Sequence, residues 1–163
     1  MEPFDELNNK LKTRFNDDIV QAGIEFDFPV FTVQKEKITE IVLFLKAEGF
    51  AFLTDLTAVH YPDKKGSELA VVYHLHDMKA NKRIRLKTFT SINDTQVPSL
   101  TPVFPGANWM ERETFDFYGI RFTGHPNLKR ILNMDEMNYH PMRKEYPLED
   151  AKRDDKQNEM FGR

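Results

Sequence analysis

The segment ERETFDFYGIRFTGHPNLKRIL, residues 111–132, decides most about the fold of this 163-residue chain. Its first eight residues contain neither Gly nor Pro and continue a run that starts at Ala107. They predict a helix over residues 107–118 that ends at Gly119, followed by a short strand over residues 120–122. Three acids and one arginine lie among the aromatic residues of this helix. Because burying charge is costly unless it is paired, those charges need partners.

Upstream of this segment, apolar residues at helical spacing predict one helix from Phe4 to Phe15 and another from Ile38 to Leu45, which ends at Gly49. Between the two helices, Pro29 interrupts an alternating run and predicts an edge strand or two short strands. Strands rich in β-branched and aromatic residues are predicted over residues 50–61, 69–78 and 83–89. The last two of these form a hairpin through Ala80–Asn81, with one face towards solvent.

The remaining segments are irregular in sequence. Three prolines predict a loop or broken helix over residues 98–105, and residues from Asn133 onward predict irregular structure. We expect one α+β domain over residues 1–150, with helices packed on a mostly antiparallel or mixed sheet. Residues 151–163 are polar and predict an extended, mobile C-terminal tail that becomes ordered on a partner.

Composition excludes several classes of site. The chain has no cysteine, so it cannot form a disulfide, a thiolate nucleophile or a Cys-ligated zinc or iron–sulfur site. The net charge of −3 gives no overall attraction to nucleic acid or anionic lipid. No apolar run is long enough to span a membrane, and the acidic N-terminus is unlike a signal peptide. We therefore expect a soluble protein that can still bind a membrane-bound partner.

Motifs for common active sites are missing from the sequence. It contains no GxSxG, no GxGxxG and no GxxxxGK[ST], which argues against a nucleophile elbow, a dinucleotide site and a P-loop. His74 and His76 lie two apart on a predicted strand and share a face, so a metal site with His60 as third ligand is one interpretation. The alternative, a strand face with two solvent-facing histidines, is favoured because no tighter ligand spacing supports a metal.

The acids of the 107–118 helix also allow two interpretations. Glu113 and Asp116 share a helix face and could act as acid and base. However, Arg112 is expected to lie beside both and to hold them ionised, which opposes the raised pKa that a general acid needs. We therefore favour a structural or interface network in which Arg130, Arg143 and Lys144 are candidate partners of the carboxylates.

Residues 106–132, GANWMERETFDFYGIRFTGHPNLKRIL, resemble the signature of the C subunit of the proton-pumping NADH–quinone oxidoreductase, respiratory complex I. That signature reads roughly A-x-W-x-E-R-E, then D among apolar and aromatic residues, G-I, and F-x-G-H-P-x-L-x-R-I-L. A second element, P-L-R-K-[DE]-[FY]-P-L, is similar to residues 141–148, where only Met142 differs. A third, L-x-D-L-T-A-V-D-Y, is similar to residues 53–61, where His60 replaces the usual Asp. The resemblance extends over about residues 30–148.

The resemblance implies a supporting role within an oxidoreductase that passes electrons from NADH to quinone and translocates protons. The C subunit of this family carries no cofactor and no catalytic residue, because FMN and the iron–sulfur clusters lie on other subunits. It packs in the peripheral arm against the D subunit, which holds the quinone site, and near the B and I subunits, on the cytoplasmic side of the cell inner membrane. Related hydrogenase-like complexes use similar subunits, so another electron donor stays an alternative.

The residues of the signature then take structural roles. We expect the glycines and Pro126 to fix the turn after the helix, the aromatic residues to divide between core and interface, and the charges to form one paired network. The residues expected in this interface and network are Trp109, Glu111, Arg112, Glu113, Asp116, Tyr118, Gly119, Gly124, His125, Pro126, Arg130, Arg143 and Lys144.

Overall fold

The computed structural model describes residues 2–26 and 28–146. The described residues form three α-helices: α1 (Glu2–Phe15), α2 (Ile38–Ala47) and α3 (Ala107–Tyr118). Apolar spacing predicted the first two, and a run without Gly or Pro predicted the third. Short 3₁₀ turns precede β1 and α2, at Asn16–Asp18 and Lys35–Lys37. The predicted bounds of α3 are confirmed to the residue. The predicted tail, residues 151–163, lies outside the described residues.

In the described part of the chain, seven strands form two sheets. The strands are β1 (Ile19–Glu25), β2 (Phe28–Val33), β3 (Phe52–His60), β4 (Leu69–Asp77), β5 (Lys82–Thr90), β6 (Gln96–Pro98) and β7 (Arg121–Thr123). The larger sheet has the order β1-β2-β5-β4-β3, and every neighbouring pair is antiparallel except β2–β5. The α+β class and the mixed sheet are therefore confirmed. The β4–β5 hairpin with its turn at residues 80–81 is confirmed as well.

Two strands form around Pro29, which is one of the two arrangements predicted, but Pro29 lies within the second strand and does not separate them. Its own strand, β2, lies inside the sheet, and β1 forms the edge. A proline is compatible with this position because the β2–β5 ladder begins only at Val30, which pairs with Arg85. The N–H that Pro29 lacks is therefore not required by β5.

One face of the large sheet, the inner face, carries the apolar core. Phe31, Leu86, Tyr73 and Leu56 lie in register across β2, β5, β4 and β3 on this face, and all four side chains are buried. Helices α1 and α2 bury one stripe each in the same cluster, and the ring of Phe4 stacks on that of Phe31 with centroids 5.8 Å apart. The opposite, outer face carries the partly exposed Arg85, Lys87 and His74, which agrees with the predicted polar face, although Ala70 and Val72 on this face are buried.

Sequence patterns missed β6, which lies in the proline-rich loop. Its three residues pair in parallel with β7, from Gln96↔Arg121 to Pro98↔Thr123. The pairing places Ser99 and Leu100 beside α3, and Leu100 is fully buried. This short parallel ladder joins two segments that are distant in sequence. The alternation of apolar and polar residues within either segment therefore does not predict it.

Candidate partner-binding site

Asp116 is the centre of the polar site on α3. Its side chain is fully buried and accepts hydrogen bonds at both carboxylate oxygens. Oδ2 accepts the backbone N–H groups of Ile131 (3.1 Å), Leu132 (2.9 Å) and Asn133 (2.9 Å). Oδ1 accepts from the Arg130 guanidinium at 2.6 Å and from the Asn133 side-chain amide at 3.1 Å. Burial alone would raise the pKa of this carboxyl, but its hydrogen bonds outweigh burial and hold the pKa well below the usual range.

Arg130 extends this site to the segment that follows. Nη1 of its guanidinium binds Asp116, and Nη2 donates to the carbonyl oxygens of Met137 at 2.6 Å and Tyr139 at 2.9 Å. One side chain thus ties the buried acid of α3 to residues 137–139, which have no regular secondary structure of their own. The planar fork of arginine suits this arrangement, because it offers several N–H groups in fixed directions.

Every carbonyl at the C-terminal end of α3 has a partner, which an α-helix cannot provide from within itself. The carbonyl oxygen of Phe115 accepts the N–H of Gly119, and that of Phe117 accepts the N–H of Met142. The Tyr118 carbonyl oxygen accepts from Arg143 Nε at 2.8 Å, and the Asp116 carbonyl oxygen accepts from Arg130 Nη1 (3.0 Å) and His140 Nδ1 (2.9 Å). The cations also lie at the negative end of the helix dipole.

Gly119 allows the chain to leave α3 and return across it. Its φ of 77° lies in the left-handed region, where a side chain is strained. A Cβ at this position would lie 2.5 Å from the ring of His140 and 2.6 Å from the guanidinium of Arg143. Glycine is therefore needed here for two reasons: it allows the predicted turn after α3, and it leaves room for the side chains of His140 and Arg143.

Arg112 forms no ion pair or hydrogen bond with the carboxylate of Glu113 or Asp116, so the prediction that it holds both acids ionised is wrong. Its guanidinium donates to the carbonyl oxygens of Lys129 at 3.2 Å and Arg130 at 2.9 Å. It also lies 5.3 Å from the ring centroid of Trp109. Arg112 therefore holds the loop before Arg130, and Asp116 owes its low pKa to other donors.

Glu111 and Glu113 lie outside the Asp116 cluster, so the predicted single network is divided. Glu111 is fully buried and faces the β6 side, where Oε2 accepts from Ser99 Oγ at 2.7 Å and Oε1 accepts from the Leu100 N–H at 2.6 Å. Burial raises its pKa to about 7, although the two hydrogen bonds act in the opposite direction. Glu113 is exposed, and within residues 2–26 and 28–146 no cation pairs with it.

His125, Gly124 and Pro126 form the turn after β7. His125 Nδ1 accepts the N–H of Asn127 at 3.0 Å, so its other nitrogen carries the proton and donates to the Asn108 carbonyl oxygen at 3.1 Å. Gly124 has a φ of 84°. This turn is thereby fastened to the first turn of α3. It follows β7, whereas Gly124 and Pro126 were predicted, together with Gly119, to fix the turn after the helix.

Lys144 joins the end of the described chain to β3 through its backbone. Its N–H donates to Nδ1 of His60 at 3.0 Å, and the His60 side chain is buried. Its side chain makes no ion pair with a carboxylate of the described residues, contrary to its predicted role as a carboxylate partner. Arg143 approaches Glu145 at 3.8 Å, but its main contact is the Tyr118 carbonyl oxygen.

The three histidines considered as metal ligands do not meet. His60 pairs with Leu69 and faces the inner side of the sheet, whereas His74 and His76 face the outer side. His74 accepts from Arg85 Nε at 2.8 Å and lies 3.4 Å from Asp55. Among the described residues, no group of three or more His, Cys, Asp or Glu side chains is arranged to hold a metal ion. The interpretation of His60, His74 and His76 as one site is therefore wrong.

Apolar side chains are exposed around the Asp116 cluster. Six of the twelve large apolar residues that are exposed in the described chain lie on α3 or on the segment fastened to it. We call this surface the α3 patch: Trp109, Leu132, Met134, Tyr139, Met142 and Tyr146. Trp109 is 62% exposed, and Leu132 and Met134 are 68% and 69% exposed. The other aromatic residues of α3, Phe115, Phe117 and Tyr118, are half-buried.

Sequence reasoning missed three members of the site: Ser99, Asn133 and His140. Ser99 and His140 each make one hydrogen bond to α3, Asn133 makes two, and none of them lies in a charged cluster of its own. His140 stands immediately before the second family element, which was the available signal for it. Ser99 and Asn133 are small polar residues in loops, and no pattern in the sequence separates them from others of their kind.

A family model described as "Respiratory-chain NADH dehydrogenase, 30 Kd subunit" matches residues 31–152. The chain belongs to this family. It is 40% identical over 141 residues to the C subunit of the NADH-quinone oxidoreductase of Trichlorobacter lovleyi, covering 86% of this chain and 87% of that protein. It is 48% identical over 133 residues to the corresponding subunit of Caulobacter vibrioides, covering 80% of this chain and 66% of that protein.

A solved structure agrees with the family assignment. The trypsin-resistant fragment (1-134) of Nqo5 superimposes with a TM-score of 0.66 at 27% identity, over 75% of this chain and 98% of that one. The Asp116 cluster and the α3 patch therefore belong to a 30 kDa-type subunit of respiratory-chain NADH dehydrogenase. In the part of the chain that the structure describes, no helix has the length and apolar content needed to cross a bilayer.

Proposed function

We propose that this chain is a non-catalytic subunit of the peripheral arm, which supports electron transfer from NADH to quinone by holding its neighbours in place. Its main neighbour is the D subunit, which holds the quinone site, with the B and I subunits close by, on the cytoplasmic side of the membrane. FMN and the iron–sulfur clusters lie on other subunits of the complex. The observation that carries the proposal is the α3 patch, an exposed apolar surface on a rigid polar support.

The composition of the α3 patch supports a contact with another protein. Tryptophan, tyrosine and methionine, which make up five of its six residues, are enriched in protein interfaces. Exposed apolar residues that cluster on one region are typical of interaction sites. The residues around Met134 have no regular secondary structure, so the hydrogen bonds of Asp116 and Arg130 determine where their side chains point.

The state of the acidic residues supports a non-catalytic role. Asp116 and Glu111 are fully buried, and both accept hydrogen bonds from donors of this chain, so a substrate has no access to either carboxylate. Glu113 is exposed but lies outside both clusters. Residues that act on a substrate need access to it, so these acids are better suited to holding the backbone.

Affinity purification from membranes tests the proposal. A tagged chain should bring down an assembly that oxidises NADH and reduces a quinone. Met134→Glu should abolish this recovery, because a carboxylate within the α3 patch would be desolvated without a partner. Met78→Glu is the matched control, since Met78 is 66% exposed against 69% for Met134 and lies in the turn after β4.

Two outcomes would count against the proposal. If Met134→Glu and Met78→Glu bring down equal amounts of the assembly, the α3 patch is not the surface that contacts the neighbouring subunit. Recovery of an assembly that reduces its acceptor from another donor and does not oxidise NADH would favour the alternative, in which the chain is the equivalent component of a related hydrogenase or other-donor complex.

A further inference from the structure

The β1 edge of the large sheet is open along most of its length. β1 pairs only with β2, so the outward N–H and C=O groups of its other side have no strand beside them in the described chain. Natural proteins usually guard such an edge with lysine, proline or a bulge. β1 has a bulge at Val20, but residues 21–25 run in regular register and contain neither lysine nor proline.

The other edge of the same sheet is protected. β3 has a bulge between Leu53 and Asp55, and it is flanked by α3. Its last residue, His60, binds the backbone N–H of Lys144. Of the two edge strands of this sheet, β1 is therefore the one with backbone groups available to pair with another strand.

Exposed apolar residues are concentrated at β1 as they are on the α3 patch. Outside the α3 patch, six large apolar residues of the described chain are exposed, and three of them lie on β1 or in the turn after it. Val20 is 59% exposed, Ile24 is 50% exposed and Phe26 is 89% exposed. A free edge with apolar side chains on it is the surface to which an extended segment adds by backbone hydrogen bonding.

A basic cleft lies at the start of this edge, on the outer face. It has a volume of about 520 Å³, and its walls include Gln21, Thr32, Gln34, Lys64, Lys65 and Phe89. The Lys64 ammonium is held 4.8 Å from the ring centroid of Tyr61 and 4.7 Å from that of Phe89. Within residues 2–26 and 28–146, no carboxylate lies within ion-pair distance of Lys64 or Lys65.

The charges around the cleft favour an acidic ligand. Glu25, the carboxylate at the far end of β1, is already neutralised by Lys87 at 2.7 Å, with Arg85 at 3.7 Å. The lysines of the cleft are therefore left to attract negative charge, although the chain as a whole carries a net charge of −3. Charge complementarity of this kind fixes the register of a bound segment more than it raises affinity.

We propose that β1 and the basic cleft together bind an extended segment of a neighbouring subunit, which adds to the sheet beside β1 and places acidic side chains at Lys64 and Lys65. This inference rests on the proposed function, because it requires a neighbouring subunit in an assembled complex. It concerns a surface separate from the α3 patch, and either contact can exist without the other.

Hydrogen exchange of residues 19–26, measured on the purified complex and on the isolated chain, tests the proposal. Strand addition should slow exchange of the outward β1 amides at least tenfold in the complex. Gly23→Lys should return exchange to the rate of the isolated chain, because a lysine guards an edge strand. The site accepts a side chain, since a Cβ at Gly23 meets no atom within 4 Å.

Two further variants give the controls. Thr57→Lys places the same side chain at an exposed position of β3, on the protected edge, and should leave β1 exchange slow. Lys64→Glu combined with Lys65→Glu should restore fast exchange at β1 through repulsion of the acidic segment. Thermal unfolding of each isolated variant checks that the fold is intact.

Several results would overturn the inference. Exchange of β1 that is as fast in the complex as in the isolated chain excludes an added strand. Slow exchange that survives the double charge reversal excludes an acidic ligand. A dimer of the isolated chain, seen by native mass spectrometry and with β1 protected as in the complex, would assign the edge to a second copy. Absence of the chain from any NADH-oxidising complex would instead refute the proposed function.

Discussion

Replacement of Asp116 by asparagine removes the charge from the centre of the polar site while keeping its size. The carboxylate accepts five hydrogen bonds through two oxygens. Asparagine has only one oxygen, so its NH₂ group would face either the backbone N–H groups of residues 131–133 or the guanidinium of Arg130. Donors would then oppose donors within a fully buried site.

The size of the effect follows from these contacts. Hydrogen bonds to a charged group contribute about 1.5–3 kcal/mol each, and five of them would sum to about 7–15 kcal/mol. That sum equals the whole stability of a typical domain, so the contributions cannot be additive. Breaking one partner of a buried ion pair costs about 3–5 kcal/mol, which we take as the expected loss for Asp116→Asn.

Thermal unfolding of the isolated chain measures this loss. For a domain of this size, 1 kcal/mol corresponds to about 2–4 °C in Tm, so Asp116→Asn should lower Tm by about 6–20 °C. Glu113→Gln, on the same helix, is the matched control. Because Glu113 is exposed, its replacement should change the free energy of unfolding by less than about 0.5 kcal/mol. Similar effects of the two variants would refute the assignment of Asp116 as the anchor.

Three other predictions concern neighbouring residues. The pKa of Glu111 rises from 4.5 to about 7 on folding, so between pH 4.5 and 7 the folded chain binds more protons than the unfolded chain. The free energy of unfolding should therefore fall by about 3 kcal/mol as the pH rises through this range. Glu111→Gln should flatten this dependence, as measured by urea unfolding at several pH values. Gly119→Ala should lower the free energy of unfolding by about 2–4 kcal/mol, because the new methyl group adds a steric clash to the backbone strain. Gly66→Ala is the control: Gly66 also has a positive φ but no close contacts, so its replacement should cost only about 1 kcal/mol. Equal losses would show that the close contacts at Gly119 do not matter. Arg112→Lys cannot make both backbone contacts, so exchange of the loop at residues 129–130 should accelerate, and unchanged rates would contradict this.

Local signals determined most of the fold. Helix α3 has a Gly-free and Pro-free run before Gly119, and its predicted ends were correct because both signals lie within the segment itself. The parallel contacts β2–β5 and β6–β7 depend on chain segments that are far apart in sequence. Side-chain periodicity does not specify which strands become neighbours, so these pairings were not predictable in this way.

The site was predicted as a set of residues, but not as a geometry. Arg130 was predicted as one of three candidate partners of the helix carboxylates, and the structure pairs it with Asp116. Helical spacing also suggested that Arg112 would pair with Asp116, and the structure shows that Arg112 turns to backbone carbonyls instead. A pattern of residue types does not indicate which backbone carbonyl oxygens lie near a guanidinium and compete with carboxylates for its N–H groups. The same holds for the Ser99 hydroxyl, which holds Glu111 on the other side of the helix.

Thiol labelling at position 134 tests the central claim most directly, because the chain contains no cysteine and an introduced one is unique within it. Met134→Cys should react quickly with a maleimide in the isolated chain and at least tenfold more slowly in the purified NADH-oxidising complex. Met78→Cys, almost equally exposed, should react at the same rate in both. Equal labelling of Met134→Cys in the isolated chain and in the complex would contradict the claim that the α3 patch holds a neighbouring subunit.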